Sequence, residues 1–419
     1  MNIIIEPVKL TGSILAPPSK SAAHRILIAA ALATQASKII LSEESEDTRA
    51  TRKCLQALGA QCQRQGETIA ITPVSIPSSG AELNCGESGS TLRFLLPVAA
   101  SLSDKVKFTG HGRLPDRPLS PFREELQAHG CEFSADKLPF TISGKLRAGR
   151  FCLPGNISSQ FISGLLFALP RLEKDSRIEL SSKLESSGYV DLSREILADF
   201  GIVIEQENNA FNIPGRQSYL TPGQIAVEGD WSNAAFYLAA GALSGPVEIN
   251  GLKKTSSQGD RRILHELRRF GATVEECDGG IMVSPGDLQA TDIDVGEIPD
   301  LLPILAVLAA FAEGKSLLYN AARLRIKESD RLQAVREMLH NLGGKVEERE
   351  DSLLVYGQKQ LQGGVIDSHN DHRIVMAAAI AACRCQKAVR INNAKAVRKS
   401  WPNFFSVYAN LGGKAKDVI

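Results

Sequence analysis

Aromatic residues are scarce in this chain, 5% of 419 positions, and neither sign of charge prevails: 48 Lys and Arg stand against 47 Asp and Glu, a formal net charge of +1. Without a basic field, or exposed aromatics interleaved with Lys and Arg, neither nucleic acid nor a membrane surface is an expected partner. No run approaches the roughly 20 apolar residues of a membrane-spanning helix. The richest, "LLPILAVLAAFAEG", is broken by Pro303 and stopped by Gly314. The opening "MNIIIEPVKL" has no basic segment followed by an apolar core, so it reads as a β-strand rather than a secretion signal, and a cytoplasmic location is expected.

Other absences narrow the chemistry. The eight cysteines form no CxxC pair and have no His cluster nearby, which argues for reduced, mostly buried thiols and against a metal site. Cys383 and Cys385 fall in an Ala-rich segment read as a helix, where their side chains would point about 200° apart, so packing is expected of them rather than redox chemistry. There is no GxxxxGK[ST], GxGxxG or HExxH, and nothing suggests a Ser-His-Asp triad.

What is present is a repeat. "CLQALGAQCQ", "ELQAHGCEFS", "ILADFGIVIE", "ELRRFGATVE", "MLHNLGGKVE" and "VYANLGGKAK" share one grammar: a helix-like stretch, an apolar residue, Gly, then strand-like residues. Their glycines, Gly59, Gly130, Gly201, Gly271, Gly343 and Gly412, recur about every 70 residues. Glycine suits the position after a helix because it accepts positive φ without a Cβ penalty.

A second series keeps the same beat: "SAAHRILIAAAL", "STLRFLLPVAASL", "SQFISGLLFALP", "SNAAFYLAAGAL", "DLLPILAVLAAF" and "DHRIVMAAAIAAC". Each is apolar nearly all round, the pattern of a helix buried on every side. Alternating stretches such as "TIAITP" and "SLLVYG" read as strands with one wet face. The expected fold is α/β with central helices and solvent-facing sheets, inverting the usual layering. Six units in 419 residues divide as three plus three, with a soft boundary near residue 228 and a first strand that could pair with either half.

Each apolar helix follows a short turn: "PPSKS", "CGESGS", "PGNISSQ", "EGDWSN", "GEIPD" or "SHNDHR". Convergent helix N-termini attract anions. Ser19 or Ser21 can cap the first helix, and Ser21 and Arg25 share a face at i, i+4. Taken alone this is a cap with a snorkelling arginine, but Arg93 sits in the first turn of the second apolar helix and His372 with Arg373 opens the sixth. Helix starts that enter a core are poor places for unpaired cations. Arg117, Lys327, Arg331 and Lys399 are further candidates for phosphate or carboxylate contact. In "RLRIKESDRL", Glu328 and Asp330 amid cations are either part of an exposed, ion-paired helix start or proton-transfer groups tuned by those charges.

With "PPSKSAAHR", "GESGSTLR", "RPL", "ISSQF", "IPD", "IKESDR", "NDHR" and "KSWPNFF" in order, the whole chain resembles the 5-enolpyruvylshikimate-3-phosphate synthases among the enolpyruvyl transferases. The resemblance implies a two-domain inside-out α/β barrel of six βαβαββ repeats. Its domains would be 19–228 and 1–18 plus 229–419, with the active site in the cleft between them. It implies transfer of the enolpyruvyl group of phosphoenolpyruvate to the 5-hydroxyl of shikimate-3-phosphate, without metal or cofactor, by a monomeric enzyme.

The same resemblance places Lys20, Ser21, Arg25, Ser158, Ser159, Gln160, Ser186, Tyr189, Asp300 and Lys327 around shikimate-3-phosphate. Phosphoenolpyruvate falls to Lys20, Gly89, Arg93, Arg117, Gln160, Arg331, Arg373 and Lys399. Lys20, Asp300 and Glu328 become the proton-transfer candidates.

This chain departs from the family pattern at Glu87, where many members have Asn, and at Arg323, where some have an Asn that contacts the substrate phosphate. Gly89, beside Phe94, keeps the small residue that in the family leaves room for glyphosate. The related transferase acting on UDP-N-acetylglucosamine is the nearest alternative, but it typically carries Lys-Asn where this chain has Lys20-Ser21, and a loop cysteine that "GHGRLPDRPL" lacks. A non-catalytic anion-binding repeat protein is the alternative from another class.

Overall fold

The computed structural model describes residues 1–277 and 279–418. The chain divides into two compact units, Lys20–Val227 and Met1–Ser19 with Glu228–Ile419. The first contains α1 (Lys20–Leu32), α2 (Glu46–Ala57), α3 (Gly89–Leu102), α4 (Phe122–Ala128), α5 (Ser159–Ala168) and α6 (Ser187–Asp199). The second contains α7 (Trp231–Leu243), α8 (Ile263–Phe270), α9 (Leu302–Phe311), α10 (Arg331–Asn341), α11 (His372–Ala381) and α12 (Phe404–Asn410).

Two kinds of helix alternate. The odd-numbered ones are rich in Ala, Leu and Ile on every face and are buried accordingly; every residue of α7, α9 and α11 is buried. The even-numbered ones bury a stripe. In α8, Ile263, Leu264, Leu267 and Phe270 face inward at helical spacing while Arg268 and Arg269 sit in the last turn, where cations oppose the negative end of the helix dipole. Each unit holds its own apolar core.

The six repeat glycines all have positive φ, from 75° at Gly201 to 113° at Gly59, and end the even-numbered helices. Gly271 caps α8, its N–H reaching the Arg268 and Leu267 carbonyls.

Among the described residues, six four-stranded sheets share one topology, in which the first two strands run parallel and the next two antiparallel. In the unit Lys20–Val227, Gln224–Ala226 lies parallel to Ser37–Ile40, followed by Thr68–Thr72 and Gln61–Gln65. In the other unit, Asn2–Glu6 is an inner strand between Val389–Asn392 and Lys414–Val418, with Ile3 opposite both Ile391 and Asp417. That assigns the first strand. Ile3 and Ile5 point into the core, as the period-2 alternation requires.

One expectation is corrected. The last apolar helix ends at Ala381, and Cys383 lies in a 3₁₀ turn over Ala382–Arg384 with Cys385 just after it, so helical geometry does not set their directions. Both are free thiols whose pKa burial pushes up to about 12.

Candidate active site

In the unit Lys20–Val227, the starts of α1, α3 and α5 carry the expected side chains. Helix α1 begins at Lys20, whose Nζ lies 3.1 Å from Asp47 Oδ2 on α2. Arg25 is 3% exposed. Its Nε donates to Ser193 Oγ at 2.7 Å, and Nη1 and Nη2 donate to the Ser21 and Tyr189 carbonyls at 2.7 and 2.8 Å. Ser21 and Arg25 therefore meet through the backbone oxygen of Ser21. Burial pushes the Arg25 pKa down to about 9, which leaves it charged at neutral pH.

Two guanidiniums meet over Gly89, the first residue of α3. A Cβ there would lie 2.5 Å from Arg117 Nη1 and 2.6 Å from Arg93 Nη1. Arg93 donates to Gln160 Oε1 and the Pro118 carbonyl, both at 3.1 Å, and Gln160 Nε2 donates to Ser90 Oγ at 2.9 Å. Like charges held this close favour an anion bridging them. Ser158 caps α5 by accepting from Gln160 N at 3.3 Å, with Ser159 the first residue of that helix. Ser186, 3% exposed, holds a left-handed φ of 55° just before α6, and Tyr189 lies in the first turn of that helix. A non-glycine residue kept in that region indicates a local constraint.

Beneath these groups a chain of buried hydroxyls ties three helices together. His24 Nδ1 is 2.7 Å from Thr51 Oγ1, which is 2.7 Å from Thr91 Oγ1, and Thr91 donates to Ser88 Oγ at 2.7 Å. Burial, reinforced by Lys20 and Arg25, holds the His24 pKa well below its ordinary value of 6.5, so the ring is neutral.

In the other unit the charges interlock more tightly. Arg331, 1% exposed, donates from Nε to Asp371 Oδ2 at 2.8 Å, from Nη1 to Asp300 Oδ1 at 2.6 Å and from Nη2 to Glu328 Oε2 at 2.7 Å. Asp300 precedes α9, and its Oδ2 accepts from Arg373 Nη2 at 3.0 Å. Asp371 caps α11 by accepting from Arg373 N at 2.9 Å. Lys399 Nζ donates to the Asn370 carbonyl at 2.6 Å. Burial alone would raise the Asp300 pKa, but Arg373, Lys327 and Arg331 outweigh it and hold the carboxyl well below its usual range. Burial pushes Lys327 down to about 8 despite the attraction of Asp300 and Glu328. An ionised carboxylate thus stands in the field of an ammonium that can exchange its proton near neutrality.

The structure groups Lys20, Ser21, Arg25, Gly89, Arg93, Arg117, Ser158, Ser159, Gln160, Ser186 and Tyr189 in one unit, and Asp300, Lys327, Glu328, Arg331, Arg373 and Lys399 in the other. In the charge-dense segment it separates exposed from buried cations. Arg325 takes the partly exposed role, pairing with Asp330 and Glu348 at 3.0 and 2.7 Å, while Arg331 is buried. Arg323 Nη2 donates to the Gly296 carbonyl at 2.5 Å. Glu87 packs its carboxylate against Gly112, filling the space a side chain there would need.

Three partners were not read from the sequence: Asp47 under Lys20, Ser193 under Arg25, and Asp371 under Arg331. Only Asp371 carries a local signal, standing immediately before an apolar helix as a capping residue.

Fold and site together define a mixed α/β protein that collects Arg, Lys and ionised carboxylates at helix starts, suited to handling small phosphorylated and carboxylated compounds. The sequence profile of EPSP synthase (3-phosphoshikimate 1-carboxyvinyltransferase) matches residues 4–408. The 3-phosphoshikimate 1-carboxyvinyltransferase of Clostridium kluyveri is 41% identical over 416 residues, 98% of this chain and 97% of that protein. Its counterpart from Clostridium acetobutylicum is 44% identical over 422 residues, covering 99% of this chain and 98% of the relative. A solved EPSP synthase from Acinetobacter baumannii superposes with a TM-score of 0.81 at 25% identity, over 99% of this chain and 100% of that one. The enolpyruvyl transferase NikO from Streptomyces tendae, 18% identical with a TM-score of 0.81 over 99% of this chain and 98% of its own, shares the fold. The chain belongs to the EPSP synthase family.

Proposed function

We propose that this protein transfers the enolpyruvyl group of phosphoenolpyruvate to the 5-hydroxyl of shikimate-3-phosphate, a transferase step of the shikimate pathway toward chorismate and the aromatic amino acids. The hydroxyl oxygen attacks C2 of phosphoenolpyruvate and loses its proton, while C3 gains one. The tetrahedral adduct then loses a C3 proton and expels phosphate, leaving the enolpyruvyl ether. Lys20, Asp300 and Glu328 are the groups among which these protons pass. Lys327, assigned to shikimate-3-phosphate, has a proton affinity that also fits the exchange.

Ser158, Ser159, Ser186, Ser21, Arg25, Gln160 and Tyr189 hold shikimate-3-phosphate together with Lys20, Asp300 and Lys327. Arg93, Arg117, Arg331, Arg373, Lys399, Lys20 and Gln160 hold phosphoenolpyruvate, with Gly89 leaving room for it. Each unit is read as three βαβαββ repeats in an inside-out barrel, and the enzyme as a cytoplasmic monomer acting on these two small molecules. Among the described residues no helix is long and apolar enough to cross a membrane.

The observation that carries this reading is Asp300, kept ionised between Arg331 and Arg373 beside a Lys327 that titrates near neutrality. A phosphate-release assay with phosphoenolpyruvate and each acceptor tests it. Release is expected with shikimate-3-phosphate. Release only with UDP-N-acetylglucosamine assigns the chain to the sister reaction, and binding of both substrates without release makes it an anion-binding protein.

A further inference from the structure

A cavity of about 440 Å³ opens in the unit formed by Met1–Ser19 and Glu228–Ile419, and none of the site residues above lines it. Its wall is made by the loop after Asn250, the 3₁₀ turn Gly259–Arg262, α8, and the paired strands Thr273–Cys277 and Gly280–Ser284. Lys254, Arg261, Arg262 and Arg268 line it, and Glu276 is the one lining carboxylate among the described residues. The protein as a whole carries a net charge of only +1, so this concentration of positive charge is local.

The ion pairs around the cavity compensate that charge only in part. Glu276 is shared by Lys254 at 3.6 Å and Arg268 at 3.7 Å, both long contacts between half-exposed side chains. Glu266 is shared by Arg262 at 2.9 Å and Arg269 at 2.7 Å. Arg261 donates to the Lys254 carbonyl and has no carboxylate partner among the described residues. The four lining cations thus share Glu276 and Glu266, while the neighbouring carboxylates Asp260 and Glu228 are engaged by Ser232 and by Ser256 and Gln258, and the arginines can still offer forked N–H pairs of the geometry that phosphate accepts.

The loop that lines the cavity also grips the segment where the chain passes from one unit to the other. Ser256 Oγ and Gln258 Nε2 donate to Glu228 Oε1 at 2.8 and 2.7 Å, and Gln258 Nε2 also donates to the Gly229 carbonyl at 2.9 Å. Gln258 Oε1 accepts from Trp231 N at 3.1 Å. Ser256, Gln258 and Trp231 all contribute to the cavity wall.

We propose that this cavity is a second anion site, separate from the substrate site, that takes a small phosphate-class polyanion with at least two charged groups. Occupancy is transmitted through the loop to Glu228 and Trp231. Trp231 is one of two tryptophans in the chain, so it contributes to the fluorescence that follows binding.

The test is a titration of the full-length protein with inorganic pyrophosphate at constant ionic strength, following tryptophan fluorescence, with orthophosphate and chloride as comparisons. A saturating change is expected, with pyrophosphate binding at least tenfold more tightly than orthophosphate. It should weaken at least tenfold in Arg261→Ala/Arg268→Ala, whose turnover and melting temperature stay at wild-type values, and persist in Arg93→Ala. Lys254→Gln/Arg268→Gln repeats the comparison if the alanine pair folds poorly. A response that survives both double variants, that disappears in Arg93→Ala, or that chloride reproduces overturns the proposal. Because turnover is measured separately, a failure here leaves the proposed reaction standing, and the converse also holds.

Discussion

At Gly89 a single methyl group decides whether Arg93 and Arg117 can converge, since a Cβ would sit 2.5 to 2.6 Å from both guanidiniums. Gly89→Ala should raise KM for phosphoenolpyruvate at least tenfold with a smaller change in KM for shikimate-3-phosphate and little loss of melting temperature. Equal effects on both substrates in steady-state kinetics would remove the two arginines from phosphoenolpyruvate binding. Lys327 supplies a pH test. Its pKa of about 8 means the charge is present below that pH and lost above it, so kcat/KM for shikimate-3-phosphate should fall with unit slope on the alkaline side of pH 8. Lys327→Arg keeps its charge to higher pH and should abolish that limb even at a reduced rate; an unchanged limb assigns it to another group. Lys20, Arg25, Arg93 and Arg373 were legible as candidates because charge at or near the mouth of an all-round apolar helix is costly unless it has a partner, while Arg117, Lys327 and Arg331 were candidates by residue type alone. Their partners were not. Asp47 and Asp371 lie 27 and 40 residues from the cations they meet, and no local pattern reports such a contact.

Among the elements, the helices were the most legible part and the strand pairings the least. Six stretches apolar on all faces could only be buried, and six glycines one repeat apart could only end helices that way at low cost. At Gly271 the requirement is double: φ is 97°, and a Cβ would lie 2.6 Å from the Asp287 carbonyl oxygen. Gly66 has a φ of 60° with nothing within 4 Å of a Cβ. Gly271→Ala should therefore cost more stability than Gly66→Ala, about 2–4 kcal/mol against about 1 kcal/mol, from backbone strain plus a steric clash in the first case and strain alone in the second. Urea denaturation of the two variants makes the comparison, and equal losses would show that the close carbonyl is irrelevant. Gln224–Ala226 joins a sheet with Ser37–Ile40, and Asn2–Glu6 joins one with Lys414–Val418. Such pairings span most of a domain or the whole chain and leave no trace in local periodicity, which is why the repeat left the first strand open and only the family resemblance put it with 229–419.

For the whole molecule, the path of the chain makes the two units unequal in what they need to fold. Lys20–Val227 is one continuous segment with its own core, and every strand of its three sheets lies inside it. Its neighbours in sequence, Ser19 and Glu228, are joined by a backbone hydrogen bond of 2.7 Å, so this unit is inserted between two adjacent points of the other. The other unit cannot dispense with its N-terminal piece. Asn2–Glu6 is an inner strand, and without it Val389–Asn392 and Lys414–Val418 lose the strand between them while the sites filled by Ile3 and Ile5 empty. Gly12–Leu15 likewise pairs with Val247–Asn250. A fragment of residues 20–227 should melt cooperatively on its own, whereas 228–419 alone should not. Joining 1–19 directly to 228–419 through a short glycine linker should restore a cooperative transition, because the ends to be joined are already neighbours. Thermal melts followed by circular dichroism decide the matter: if 228–419 unfolds as sharply and at the same temperature as the linked form, the N-terminal strand is dispensable and the inserted-unit description fails.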